Sequence, residues 1–176
     1  MTDEDMRLPA VLVEAHAADF CVEHDGHDFQ PYERFLWSVE MTEWWQDWTG
    51  MATVGAAPFR AFGQDGAGGL AAFWCRTSDE PLDHQPIVFI GSAGEHIVIA
   101  RDLGDYLWLL ANGVGPLETV DGIDRVPEPI GALTAIAHRY TGSERRSIPE
   151  VLGAARSELP ALEALINASA EPTSDR

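Results

Sequence analysis

Short apolar runs alternate with Gly-rich turns between residues 59 and 116. Residues 70–75 (LAAFWC) and 86–90 (PIVFI) are rich in aromatic or β-branched side chains, which favours β-strands. Residues 92–94 (SAG) predict a tight connection to His96–Ala100, which we expect to pair back as a hairpin partner. The pattern predicts a small, mainly antiparallel sheet.

A well-marked helix follows the last of these strands. Asp102 stands where an N-cap is expected, Asp105 comes three residues later, and Gly113 suits the position after the helix end. Four residues between those signals recur at helical spacing and predict the buried stripe: Leu103, Tyr106, Leu107 and Leu110.

The first fifty residues predict two helices. Residues 9–20 form the first, and Pro31 is well placed as the first residue of a second, which extends to about Trp48 and ends at Gly50. The second would be apolar on two sides, so it is either deeply buried or shared between the core and a partner. One side carries Tyr32, Phe35, Leu36 and Val39, and the other carries Trp37, Met41, Trp44, Trp45 and Trp48.

Helical patterns return towards the C-terminus. Residues 117–120 suggest a short edge strand, 129–140 a helix, 147–156 a helix opened by Ser147 and Glu150, and 160–168 a last helix. We expect one α+β domain over residues 9–168, with helices packed on one face of the sheet. Residues 1–8 and 169–176 are predicted to be flexible ends.

The central stretch resembles the SUKH superfamily. The resemblance rests on a Phe-Gly-x-Asp-Gly-x-Gly-Gly turn (62–69), a strand ending in Phe73-Trp74, the segment QPIVFIGS (85–92), a hairpin and the helix segment DYLWLL (105–110). The superfamily includes bacterial immunity proteins of toxin systems and the yeast Smi–Knr cell-wall regulators. The resemblance implies a non-enzymatic protein-binding module, because the family has no shared catalytic residues.

Charge narrows the range of partners. The formal net charge is -18, and all 11 basic residues are arginine, so lysine-dependent Schiff-base and P-loop chemistry is excluded. Strong acidity argues against nucleic acids and anionic membranes as ligands, and favours either a basic partner or simple solubility. Residues 1–50 hold twelve acidic and two basic side chains.

The second predicted helix contains four of the six tryptophans, interspersed with acidic residues. Core packing is one explanation, and an acid-rimmed aromatic patch for a basic partner is the other. The candidate partner-binding set is Glu40, Glu43, Trp44, Trp45, Asp47 and Trp48. Together with the resemblance, it predicts an immunity protein that occludes a cognate toxin domain, and the acidic surface suits a basic, nuclease-like toxin. A regulatory scaffold of the Smi–Knr type with host partners is the alternative.

The Gly-rich segment 63–69 is interpreted as a structural turn formed by Asp65, Gly66, Gly68 and Gly69. It leads into a strand rather than a helix and has no Gly-Lys-Ser/Thr ending, so it does not match a phosphate-binding loop. Ser92 lacks the G-x-S-x-G elbow, and Cys75 with His84 or His96 is a weaker candidate than a buried, inert thiol. A hydrolase using Cys75 or a carboxylate pair is the least favoured function.

One cluster, His24, Asp25, His27 and Asp28, is metal-like in composition. A solvated Asp-Gly turn accounts for it better, since no second ligand pair stands at suitable spacing, and we predict neither a metal nor a cofactor. Cys21 and Cys75 are far apart and predict reduced thiols. With no signal-peptide pattern, the expected location is the cytoplasm. The oligomeric state is not predicted.

Overall fold

The computed structural model describes residues 6–18, 29–50, 57–77, 79–123 and 126–170. Its centre is a five-stranded antiparallel sheet in which each strand pairs with the next along the chain. The strands are β1 (Phe29–Pro31), β2 (Phe59–Asp65), β3 (Leu70–Trp74), β4 (Ile87–Ile90) and β5 (His96–Ala100).

Helices make up the rest of the regular structure and confirm the α+β class. They are α1 (Ala10–Ala17), α2 (Ser38–Thr49), α3 (Leu103–Ala111), α4 (Glu118–Asp121), α5 (Gly131–Thr141), α6 (Ile148–Ala155) and α7 (Leu159–Ala170). Within the described ranges, no helix is long and apolar enough to cross a membrane.

Both faces of the sheet are covered by helices, whereas the sequence predicted cover on one face. On one face, side chains such as Phe73 and Phe89 pack with α1, α3 and α5; on the other, Ala72 and Val88 pack with α2 and α7. The cause is the composition of β3 and β4, which are buried at every position and therefore need apolar cover on both sides.

Helix α3 lies in the centre of the larger core and has the boundaries that the sequence predicts. The Asp102 carboxylate accepts a hydrogen bond from the Asp105 N–H (2.8 Å). At the other end Gly113, at φ +77°, donates to the Leu110 carbonyl, and Val114 donates to Leu109, as in a Schellman motif. The predicted stripe is buried, and so are most other residues of the helix.

The predicted start of the second helix is wrong. Pro31 is the last residue of β1, and α2 begins only at Ser38. The intervening chain continues beside β2, since the Tyr32 N–H donates to the Phe62 carbonyl (2.8 Å) and the Leu36 N–H to the Ala61 carbonyl (2.9 Å). Proline suits this edge strand because it has no N–H to leave unpaired.

The C-terminal predictions mostly agree with the structure. Residues 118–121 form the short helix α4 instead of an edge strand, and the Glu118 carboxylate accepts from the Gly115 N–H (2.9 Å). Helices α5, α6 and α7 lie where the pattern places them, and Glu150 accepts from the Ser147 N–H (2.8 Å) at the start of α6. Of the residues predicted to be flexible ends, Met6 and Leu8 are instead buried in the core and Ser169 belongs to α7. Residues 1–5 and 171–176 lie outside the described ranges.

Candidate partner-binding surface

Helix α2 turns one side to the core, and Trp45 lies at the centre of that side. Its side chain is fully buried with Met41, and its ring centroid is 4.9 Å from that of Phe59 on β2. The sequence placed Trp45 in the partner-binding set. Its burial assigns it to the core instead, because a side chain without exposed surface offers nothing to a partner.

Trp44 and Trp48 lie at the border between the core and solvent. Their rings stack at 6.2 Å between centroids with 16° between planes, and both are half-buried. The Trp44 indole N–H donates to the Gly68 carbonyl (3.2 Å), and the Trp48 indole N–H donates to the Gly91 carbonyl (2.7 Å). The polar atoms of both rings are therefore fixed to the sheet, and their uncovered edges are held in position.

Exposed carboxylates run beside these rings. Glu40, Glu43 and Asp47 are exposed and stand at positions i, i+3 and i+7, which places them in one stripe along the helix. The Glu40 carboxylate also accepts from the Trp37 N–H (3.2 Å) and so closes the first turn of α2. Val39 is 61% exposed on the same outward side.

The predicted structural turn joins β2 to β3 beneath Trp44. The Asp65 carboxylate is buried and accepts from the Ala67 N–H (2.9 Å) and the Gly69 N–H (2.7 Å). Gly66 lies in the turn, and Gly68 takes φ +89°, a conformation that favours glycine. The structure thus confirms a hairpin turn and shows that Trp44, 24 residues earlier, is attached to it.

A pocket of about 220 Å³ adjoins this turn, between the β4–β5 connection and α4. Ser92, Glu95 and Asp65 line it, and the Asp65 carboxylate already accepts hydrogen bonds from the N–H groups of the turn. Among the described residues, no histidine hydrogen-bonds Ser92, so the arrangement lacks the base that would activate a serine nucleophile.

Among the described residues, no histidine is placed to activate the Cys75 thiol either. Burial raises the pKa of the Cys75 thiol, and the nearby Arg60 only partly opposes that shift. Within the described ranges, neither His84 nor His96 hydrogen-bonds its sulfur. A protonated, half-buried thiol is a poor nucleophile.

Candidate metal ligands fall partly outside and partly inside the described residues. His24, Asp25, His27 and Asp28 lie outside the described residues. In the part of the chain that the structure does describe, no three His, Cys, Asp or Glu side chains are grouped so that they could hold a metal ion.

The sequence did not predict that Gly91 accepts the hydrogen bond of the Trp48 indole N–H. The two residues are 43 positions apart, and no local pattern around Gly91 indicates the contact. The sequence pattern also grouped Val39 with Tyr32 and Phe35 on one apolar side of a helix, although Tyr32 and Phe35 precede α2. The exposure of Val39 could have been predicted from its position on the side of α2 opposite Met41 and Trp45.

Comparison with models of protein families, with curated proteins and with solved structures found no match. The resemblance to the SUKH superfamily therefore stays a prediction that rests on the residues of the turn, the strands and α3. The geometry of α2 is the remaining guide to function.

Proposed function

We propose that this chain is a non-enzymatic protein-binding module, an immunity protein of the SUKH type that occludes a basic toxin domain in the cytoplasm. One observation carries the proposal. Helix α2 presents the exposed carboxylates of Glu40, Glu43 and Asp47 in a single stripe beside the anchored rings of Trp44 and Trp48. We call these five residues the α2 surface.

The charges of the α2 surface favour a cationic partner. Within the described ranges, Glu40, Glu43 and Asp47 form no ion pair with an arginine, so their charges are not neutralised inside the molecule. In a chain of net charge -18, such a stripe accelerates encounter with a basic surface.

Trp44 and Trp48 would supply apolar contact area that slows dissociation of the partner. Uncovered ring edges next to an acidic stripe can be desolvated by a partner, and tryptophan is enriched among residues that dominate binding energy. Because both indole N–H groups are already hydrogen-bonded to the sheet, the rings are pre-organised and lose little freedom on binding. Slow dissociation would follow from these contacts and fast association from the carboxylates.

The cytoplasmic part of the proposal is supported by the cysteines. Cys21 and Cys75 stand far apart without C-x-x-C spacing, which suits a compartment that keeps thiols reduced.

The test compares two triple variants. E40Q/E43Q/D47N neutralises the α2 surface, and glutamine at position 40 keeps an oxygen for the Trp37 N–H. The matched control, E128Q/E144Q/E163Q, removes the same charge from exposed positions on other elements. The partner is first isolated by affinity capture from a lysate of the source organism and then purified, and association is followed by stopped-flow fluorescence at low and high salt.

We expect the α2 variant to associate with a purified toxin domain about ten- to a hundredfold more slowly at low salt, and the control to associate nearly normally. High salt should reduce the difference. Equal association rates for both variants would refute the role of α2. Capture of several host proteins without a toxin would favour the Smi–Knr-like scaffold instead.

A further inference from the structure

The chain holds 29 acidic residues, yet five of the nine arginines in the described ranges form no ion pair with a carboxylate: Arg7, Arg34, Arg60, Arg145 and Arg156. The arginines that do pair with carboxylates are Arg76, Arg101, Arg139 and Arg146, while Arg145 binds the Asn112 side chain. Of the five arginines without an ion pair, Arg7, Arg34 and Arg60 lie on neighbouring segments.

These three arginines are brought together around one backbone contact. The Phe35 N–H donates to the Met6 carbonyl (3.0 Å), so Arg7 and Arg34, their immediate neighbours in the chain, lie on adjoining segments. The Arg60 guanidinium carbon is 4.1 Å from the centroid of the Phe35 ring. We call Arg7, Arg34 and Arg60, with Met6 and Phe35, the arginine surface.

Two of the guanidinium groups are held in place by aromatic rings. Arg60 lies over Phe35, and Arg34 lies over Trp37 with 4.7 Å between its guanidinium carbon and the ring centroid. Contact with a ring restrains a flexible side chain without using up its N–H donors. Both arginines can therefore donate paired hydrogen bonds to a carboxylate at a reduced entropic cost.

Two pockets adjoin the arginine surface, and Met6 lines both of them. Each has a volume of about 320 Å³, within the range of small ligand sites. One contains Arg7, Arg34, Leu8 and Val13, and the other contains Arg60 with Phe35, Leu36 and Phe59. Each pocket thus combines apolar walls with at least one arginine.

We propose that the arginine surface binds an acidic peptide segment of a protein partner. Carboxylates of the segment would pair with Arg7, Arg34 and Arg60, and its apolar side chains would enter the two pockets. A peptide fits better than a compact anion, because the donors are spread along two adjoining pockets. One is largely apolar around Leu36 and Phe59, and the other is half apolar. This site is independent of the proposed function, since the α2 surface has the opposite charge.

The net charge of -18 does not prevent such binding. At physiological ionic strength, charges more than about 8 Å away are strongly screened, so the nearest groups decide the local potential. Among the residues that line the two pockets, Glu33 is the nearby carboxylate. Its removal should therefore strengthen the binding of an acidic peptide.

The experiment titrates the isotope-labelled full chain with a synthetic peptide, acetyl-Glu-Leu-Glu-Phe-Glu-amide, and follows the arginine Nε–H resonances by NMR. We expect saturable shifts at the arginine surface and about tenfold weaker binding for R34Q and for R60Q, since each loses a charge-assisted hydrogen bond. The matched control is R156Q, which removes another unpaired arginine from a different part of the molecule. It should bind as the parent does, and E33Q should bind more tightly.

Four results would overturn the proposal. These are no saturable shift up to millimolar peptide, equal binding of the glutamine version of the peptide, equal affinity for inorganic phosphate, and equal loss in R156Q and R34Q. A variant lacking residues 2–5 adds a further arm, because Asp3, Glu4 and Asp5 directly precede Met6 in the sequence. If only that variant bound the peptide, the ligand would be the chain's own N-terminal segment and not a partner.

Discussion

The indole N–H of Trp48 donates a hydrogen bond to the carbonyl of Gly91 across 2.7 Å, which joins helix α2 to the end of β4. Trp48 also stacks on the buried Trp45, with 5.4 Å between ring centroids and 13° between planes. Any partner that meets the α2 surface therefore meets a helix fixed to the sheet by both packing and a directed hydrogen bond.

The first prediction tests that bond. Trp48→Phe keeps an aromatic ring but removes the shorter of two hydrogen bonds to the Gly91 carbonyl, which then retains only the Gly94 N–H at 3.3 Å. We expect the free energy of unfolding to fall by about 1 kcal/mol. Urea denaturation followed by circular dichroism measures it. Trp37→Phe is the control. Within the described ranges, the Trp37 indole N–H has no hydrogen-bond partner, and the ring contacts Arg34 and packs at the edge of the core. Equal losses in the two variants would show that ring size matters and the bond does not.

The second prediction concerns the turn below Trp44. A Cβ atom at Gly69 would lie 2.9 Å from the Asp65 carboxylate and 2.9 Å from the Phe89 ring, whereas one at Gly68 would meet nothing within 4 Å. Gly69→Ala should therefore destabilise the protein by about 2 kcal/mol or more through crowding. Gly68→Ala should cost about 1 kcal/mol, because its positive φ is the only obstacle.

Thermal unfolding of the two glycine variants, with the parent chain as reference, checks this order. Gly131→Ala is a useful further control, because its Cβ would have open space and its backbone is helical. It should be neutral or slightly stabilising. A larger loss at Gly68 than at Gly69 would contradict the steric account.

Local signals explain how much of this fold the sequence predicts. The caps Asp102 and Ser147 and the terminating glycines Gly50 and Gly113 act within a few residues, so short patterns locate α3, α6 and the end of α2. The prediction of a helix start at Pro31 was wrong because the deciding contact is distant in the sequence. Proline suits both the start of a helix and an edge strand, and pairing with β2, about thirty positions later in the chain, selects the strand.

The candidate sites are less predictable than the fold, because they are assembled from distant segments. The stripe of Glu40, Glu43 and Asp47 follows from helical spacing alone. The arginine surface does not, since Arg7, Arg34 and Arg60 come from three separate segments that meet only in the folded chain. Their spacing in the sequence contains no period that would bring them together.

The third prediction concerns a buried charge at the start of α3. Asp105 is 4% exposed, and its carboxylate accepts from Arg146 and from Arg101, the latter at 3.3 Å. Asp105→Asn leaves the amide unable to satisfy two guanidinium groups, so we expect a loss of about 2–3 kcal/mol. Chemical denaturation at neutral pH measures it.

A double-variant cycle isolates this interaction. Arg146→Gln should cost less than Asp105→Asn, because the Asp105 carboxylate keeps its hydrogen bond from Arg101, whereas Asp105→Asn weakens both contacts. The combination D105N/R146Q should cost less than the sum of the two single changes. Strict additivity would mean that the two side chains do not stabilise each other.

The fourth prediction is a pH dependence of stability that originates at His16. The imidazole lies among aromatic rings on the inner side of α1, with its centroid 5.7 Å from Phe62 and 6.2 Å from Tyr106. Desolvation by burial lowers the pKa of His16 from 6.5 to about 4. Below pH 6.5 the unfolded chain takes up a proton that the folded chain refuses until about pH 4. Stability from this group is therefore complete above pH 6.5 and is lost as the pH falls towards 4.

His16→Phe should flatten the dependence of the unfolding free energy on pH between 6.5 and 4, where the parent loses about 3 kcal/mol to this group. Denaturant titrations at a series of pH values measure it. His138→Gln removes an exposed imidazole from α5 and serves as the control, which should keep the slope of the parent. If His16→Phe kept the parent slope as well, the pH dependence would originate in the carboxylates, and the buried imidazole would not be its source.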